Sequence, residues 1–206
     1  MLGPTASALR VSPGGETSRD CRDRVVGILA LQGDFEAHAK MIRALGAQPR
    51  EVRTPAGLEG LDALIIPGGE STVMTLGIER EGLVEPLRDL VRKGTPVLGT
   101  CAGMIMLDRE HLGLLDVTTR RNAFGRQVRS FEADLDVDGV PGGPMHAVFI
   151  RAPWVVDHGP QVEILSRVEE HPVAIRHGNM LAVSFHPELS GDGRLHAMLL
   201  GMNCDP

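Results

Sequence analysis

The stretch Gly99-Thr100-Cys101-Ala102-Gly103 constrains this chain more than any other. A short apolar strand, Pro96-Val97-Leu98, leads into it from a Gly-Thr-Pro turn, and an apolar helix, Met104-Ile105-Met106-Leu107, leads out. Gly-x-Cys-x-Gly between a strand and a helix is the sulfur form of the nucleophile elbow, a tight turn that lifts one side chain to the C-terminal edge of a sheet. Glycines suit positions 99 and 103 because the elbow brings backbone segments too close for a Cβ. The turn aims the Ala102 N–H at the space beside the sulfur. The helix N-terminus behind it favours the thiolate, which is the reactive form. The same residues also fit a buried structural cysteine at a strand end, so the motif needs company.

The flanking sequence supplies a fold for it. Val25 to Leu31 is a continuous apolar run, as in a parallel strand covered on both faces. Gln32-Gly33-Asp34 reads as a turn with Asp34 capping a helix that carries Phe35, His38, Ala39, Ile42 and Leu45 at helical spacing, and Gly46 ends it. His38 reads as an ordinary helix-surface or half-buried histidine. Strands follow at Arg50 to Arg53 and Ala63 to Ile66, then a helix after Ser71-Thr72, a helix over Leu83 to Val91, and the elbow strand. The alternation predicts an α/β, doubly wound, mostly parallel central sheet flanked by helices, with ligands beyond the C-terminal strand ends. Downstream, residues 114–119, 130–137, 147–151, 162–168, 173–176 and 180–185 read as extended, and 192–202 as a closing helix.

Two further stretches carry chemistry. Pro67-Gly68-Gly69-Glu70-Ser71-Thr72 places two glycines after a strand and a Ser/Thr before a helix. That makes a nest of backbone N–H groups for an anion or a developing oxyanion, or simply a capped strand–helix connection. No Gly-Lys-Ser/Thr follows, so it is not a Walker-type phosphate loop. Near the C-terminus an apolar strand runs into His186-Pro187-Glu188. On an extended backbone His186 and Glu188 would project to one side, the carboxylate fixing the imidazole tautomer and leaving the other nitrogen for a thiol. Alone this also fits a surface turn. A thiol and a His/Glu pair on the C-terminal side of one sheet is a stronger conjunction.

Bulk properties exclude other classes. The 206 residues suit one domain, read as residues 25–206, after a disordered Gly/Pro/Ser-rich leader over residues 1–24. The net charge of −6 is mixed in sign along the chain, with no basic run and no Tyr, so no nucleic-acid partner is expected. No apolar stretch approaches a membrane span, and no secretory signal is visible. Cys21, Cys101 and Cys204 lie far apart, which argues against a disulfide framework or a Cys-rich zinc site and for a reducing cytoplasm.

Taken together, the strings Leu31-Gln32-Gly33, Pro67 to Thr72, Gly99 to Gly103, Arg121-Asn122-x-Phe124-Gly125-Arg126-Gln127, Ser130-Phe131-Glu132, Val148 to Pro153 and Ser184 to Glu188 resemble the class I (triad) glutamine amidotransferases. More narrowly they resemble the glutaminase subunits of pyridoxal 5′-phosphate synthase, the PdxT/SNO family, from about Val25 to Met202. The resemblance implies a flavodoxin-like three-layer sandwich and a thioester mechanism on L-glutamine without cofactor or metal. Cys101 would attack the side-chain amide, His186 would activate it and protonate the ammonia, and Glu188 would orient His186. The oxyanion donors would be the N–H groups of Ala102 and Gly69. Gly68, Gly69, Glu70, Arg121, Ile150 and Arg151 match glutamine-holding positions, and Gln32 matches a position beside the oxyanion site and partner interface. Ammonia would pass to a (β/α)8-barrel synthase subunit of the PdxS/SNZ type, in an assembly of twelve glutaminases on twelve synthase subunits.

Two departures stand out: the leader, and a segment, residues 108–113, shorter than these relatives usually carry at the rim of the site. The short segment keeps open a catalytically weak regulatory subunit. A glutaminase feeding another synthase is the other alternative, against which the Arg121 to Gln127 string argues, and a stand-alone cysteine hydrolase would not need this glutamine-binding set.

Overall fold

The computed structural model describes residues 23–121 and 130–202. The sequence-based leader, Cys21, Cys204 and the Asn122 to Gln127 part of the family string lie outside the described residues, apart from residues 23 and 24. Arg24 already bonds to the folded body: its carbonyl accepts from Gln48 N, and its guanidinium donates to the carbonyl oxygens of Leu200 and Met202.

In chain order the strands are β1 (Val25–Leu29), β2 (Gln48–Val52), β3 (Ala63–Ile66), β4 (Val97–Thr100), β5 (Val117–Arg120), β6 (Ser130–Leu135), β7 (Met145–Ile150), β8 (Trp154–His158), β9 (Glu163–Val168), β10 (His171–His177) and β11 (Met180–Val183). The helices are α1 (Phe35–Ala44), α2 (Ser71–Arg80), α3 (Val84–Arg92), α4 (Ala102–Leu107), α5 (Pro187–Ser190) and α6 (Arg194–Gly201). A seven-stranded sheet has the order β2-β1-β3-β4-β11-β10-β9. β2, β1, β3, β4 and β11 run parallel, while β10 and β9 add an antiparallel edge. Two antiparallel ribbons, β5 with β8 and β6 with β7, sit outside this sheet. The strand of β8 was not foreseen from sequence; Trp154 heads it and stacks on His171 of β10, ring centroids 3.5 Å apart.

The apolar runs read as doubly covered strands are that. Ala63, Ile65, Leu98, Leu181 and Val183 enter one core with α1 and α6 residues such as Ile42, Leu195 and Leu199. Leu64, Ile66, Val97, Met180 and Ala182 enter the other, with Met74, Leu87, Met104 and Leu107 from α2, α3 and α4. Alternate side chains of one strand thus fill opposite layers. Burying a Leu or Ile side chain fully is worth about 1.5–3 kcal/mol, so both layers hold the sheet. Because β1, β3, β4 and β11 are parallel, the turns that leave them share one edge. Those turns carry Gln32, Gly68, Cys101 and His186.

Residues 108–113 form a closed turn around buried Asp108. Its carboxylate accepts from Glu110 N, from His111 N and Nδ1, and from Thr119 Oγ1, at 2.6–3.2 Å.

Candidate active site

Cys101 joins β4 to α4 with φ 48° and ψ −107°, a left-handed backbone that a non-glycine residue adopts only under constraint. Hydrogen bonds on both sides supply it: Cys101 N donates to Val183 O at 2.8 Å, and Met104 N donates to Cys101 O at 3.0 Å. The two glycines are required as the motif implied. A Cβ at Gly103 would lie 1.9 Å from Ile66 O, and one at Gly99 would lie 2.8 Å from the Gly103 carbonyl. The sulfur lies 3.9 Å from Ile150 O, and the residue is 7% exposed.

His186 and Glu188 do come together, but not on an extended backbone. β11 ends at Val183, His186 is the N-cap of α5, and Glu188 lies within that helix. Pro187 occupies the first helical position, where its fixed φ suits a helix and no N–H is needed. The turn, not a strand, therefore brings Glu188 Oε1 to 2.7 Å from His186 Nδ1. His186 N donates to Val148 O at 2.9 Å, which anchors the ring's backbone to β7. With Nδ1 committed to Glu188, Nε2 is the nitrogen left for the sulfur. Burial pushes the His186 pKa down, but hydrogen bonds to Cys101 and Glu188 override it and raise it to about 10. The imidazolium is thus favoured between Cys101 and Glu188.

The glycine turn closes the gap between thiol and base. A Cβ at Gly68 would lie 2.4 Å from His186 Cε1 and 3.3 Å from Cys101 Cβ. Gly69 has φ 153°, and a Cβ there would lie 2.1 Å from Gln32 Oε1. Gln32 Oε1 also accepts from Glu70 N at 2.6 Å, so this side chain staples the turn after β1 to the turn after β3. Glu70 caps α2, its Oε1 accepting from Thr72 N at 3.1 Å. Arg121 reaches the same helix start, donating to Ser71 Oγ at 3.1 Å and Thr72 Oγ1 at 3.3 Å. Ala102 opens α4, where the first N–H groups lack intrahelical acceptors. Ile150 ends β7, and exposed Arg151 follows with φ 45°.

Sequence reading missed what lies behind the triad. His38 is not at the surface: it is 0% exposed, on the inner face of α1 with Ala39 and Ile42. Its Nε2 lies 3.4 Å from Glu188 Oε2 and 3.3 Å from Thr100 Oγ1, and its Nδ1 lies 2.9 Å from Nε2 of fully buried His196. The signal was its place on α1's apolar stripe, where a polar ring needs partners.

A thiol on an elbow, an imidazole–carboxylate pair and a glycine turn on one edge of a doubly wound sheet define a glutamine amidotransferase-like protein. A solved structure described as a glutamine amidotransferase shares 47% identity and a TM-score of 0.80, covering 85% of this chain and 96% of that one. The model of the SNO glutamine amidotransferase family matches residues 28–204, and the chain belongs to that family. The pyridoxal 5′-phosphate synthase subunit PdxT of Frankia alni is 55% identical over 184 residues, covering 85% of this chain and 92% of that protein. The subunit of the same name from Mycolicibacterium vanbaalenii is 51% identical over 187 residues, covering 85% and 95%. Among the described residues no helix is long and apolar enough to cross a membrane.

Proposed function

We propose that this chain is the glutaminase subunit of a pyridoxal 5′-phosphate synthase, hydrolysing L-glutamine to L-glutamate and ammonia. The observation that carries the reading is the His186–Glu188 pair hydrogen-bonded at 2.7 Å beside the Cys101 elbow, in a chain about half identical to PdxT subunits.

The Cys101 thiolate attacks the side-chain amide carbon. The C=O electrons move onto oxygen, and the N–H groups of Ala102 and Gly69 receive the oxyanion. His186 gives its proton to the leaving nitrogen, the C–N bond breaks, and ammonia departs from a thioester. Water then attacks, His186 takes its proton, the C–S bond breaks, and glutamate leaves. Arg121 meets the α-carboxylate of glutamine. Glu70 and the carbonyl side of Ile150-Arg151 meet its α-ammonium, and Gly68 leaves room for the amide. Gln32 holds the glycine turn and faces the synthase subunit, a (β/α)8 barrel of the PdxS/SNZ type that takes the ammonia within a twelve-plus-twelve assembly. Val73 and Leu76 on α2, 49% and 60% exposed beside this mouth, supply apolar surface for that partner. The setting is cytoplasmic, with the thiol kept reduced.

The test is glutamate release from L-glutamine by the purified chain, alone and with the barrel subunit. Release that depends on the barrel supports the reading. Equal release with and without it points to a stand-alone amidohydrolase. No release from a chain that still binds the barrel points to a regulatory subunit.

A further inference from the structure

Glu188 has two carboxylate oxygens and the triad uses one. Oε1 takes the His186 proton. Oε2 is buried and makes no hydrogen bond of good geometry among the described residues. A carboxylate oxygen left like that is strongly disfavoured, and a protein donor set beside it would satisfy it. His38 Nε2 stands 3.4 Å away, slightly long for a hydrogen bond. Hydrogen bonds of this kind are often long in ligand-free sites and tighten when the reacting complex forms.

The proton positions can be worked out from the chain of contacts. His38 Nδ1 and His196 Nε2 are 2.9 Å apart, so one donates to the other. Suppose His38 Nδ1 carries the proton. Then its Nε2 lone pair faces the Glu188 carboxylate, and His196 must carry its own proton on Nδ1. That atom is buried without a partner, so an N–H would be orphaned there. Now suppose His196 donates from Nε2. His38 then accepts at Nδ1 and carries its proton on Nε2, between Glu188 Oε2 and Thr100 Oγ1. No N–H of the two rings is orphaned, and their one unsatisfied nitrogen is a bare acceptor at His196 Nδ1. Orphaned buried N–H groups are rarer than under-satisfied acceptors, so the second arrangement holds.

Both rings remain neutral in it. Burial, with His196 and His186 adding to it, keeps His38 well below the ordinary histidine range. Burial likewise brings His196 down to about 4, against a small opposing effect of Asp192. A neutral donor steadies Glu188 without cancelling the negative charge that His186 needs.

Resting on the glutaminase reading, we propose that His38 is a positioning residue for the triad: its Nε2–H, set by His196, donates to Glu188 Oε2 and holds that carboxylate in register with His186. His38 is fully buried and three contacts removed from the sulfur, so it acts on turnover and not on glutamine binding.

The experiment compares His38→Asn with His38→Gln in the full chain paired with the barrel subunit. A Gln amide nitrogen can reach about where Nε2 stands, whereas an Asn amide reaches only as far as Nδ1. His38→Asn is expected to lower kcat about 10- to 100-fold with KM unchanged, the size seen when the partners that orient metal-ligating side chains are lost. His38→Gln is expected to recover most of that loss. Equal activity of the two variants, at either level, would overturn the proposal, as would a change confined to KM. Should either variant fail to fold, histidine 15N shifts of the wild-type chain decide. His38 protonated on Nε2 and bare on Nδ1 supports the bond, and the reverse tautomer overturns it. A wild-type chain inert toward glutamine in every pairing would instead defeat the glutaminase reading, and with it the catalytic role of His38, while the 15N result still reports on the bond.

Discussion

The two sides of this site are built by opposite means. On the nucleophile side, position is set by backbone. Cys101, Ala102, Thr100 and Glu188 are all buried, and Gly68, Gly99 and Gly103 sit where a single added carbon would collide with main chain or with His186. On the side proposed to hold glutamine, position is set by exposed side chains. Glu70 and Arg121 are exposed, as are Ile150 and Arg151 at the end of a ribbon outside the central sheet. On the proposed reading, the difference teaches that reacting atoms are held by parts that cannot move independently, while the substrate's charged end would be met by long side chains that can adjust.

That contrast yields an ordered set of expected outcomes. The largest is Cys101→Ala, which should cut glutamate release by roughly 10⁴-fold or more while leaving barrel binding intact. Retained activity would remove the triad assignment. Next is Gly103→Ala, whose methyl would meet Ile66 O at 1.9 Å. A loss of about 3 kcal/mol in urea unfolding is expected, and a neutral result would show the elbow to be softer than the packing implies. On the other side, Arg121→Ala should raise KM about 10- to 100-fold with kcat little changed, the worth of a charged hydrogen bond to a carboxylate. A fall in kcat instead would place Arg121 with the chemistry.

The smallest effect concerns pH and separates half-buried His186 from fully buried His196 on the nucleophile side. His186 has a folded pKa raised to about 10 against 6.5 unfolded, so its contribution to stability is complete below about pH 6.5 and fades as pH rises toward 10. His196 has a folded pKa lowered to about 4, so it is indifferent above about pH 6.5 and destabilises the fold as pH falls from there toward 4. His196→Met should therefore flatten the acid limb of a Tm–pH curve and leave the alkaline limb unchanged. The scale is about 2–4 °C for each kcal/mol in a chain of this size. An unchanged acid limb would mean that His196 is solvated and protonated in the native state.

What could be read without coordinates was whatever depends on local chain geometry. The apolar runs of β1, β3, β4 and β11 declared a doubly covered parallel sheet, because each such strand must bury both faces. Gly99 and Gly103 declared the elbow, because only glycine permits that backbone approach. The proposed triad of Cys101, His186 and Glu188 could be picked out because its neighbours carry strong local signals: glycines around Cys101 and a proline between His186 and Glu188. That same proline misled on conformation. Two residues apart fits a strand, yet Pro187 at a first helical position turns the chain instead. Contacts that join distant segments had no local signature. His38 and His196 lie 158 positions apart, and nothing near either announces the other. Gln32 meets Glu70 N across 38 positions, and Arg121 meets Ser71 across 50. The parallel order of the strands delivers the turns after β1 and β3 to one edge and so joins Gln32 to Glu70, while the packing of α1 and α6 on one face of the sheet joins His38 to His196, and the end of β5 brings Arg121 to the start of α2. Local sterics are written residue by residue in a sequence; the company a buried polar group keeps is decided when the layers close over it.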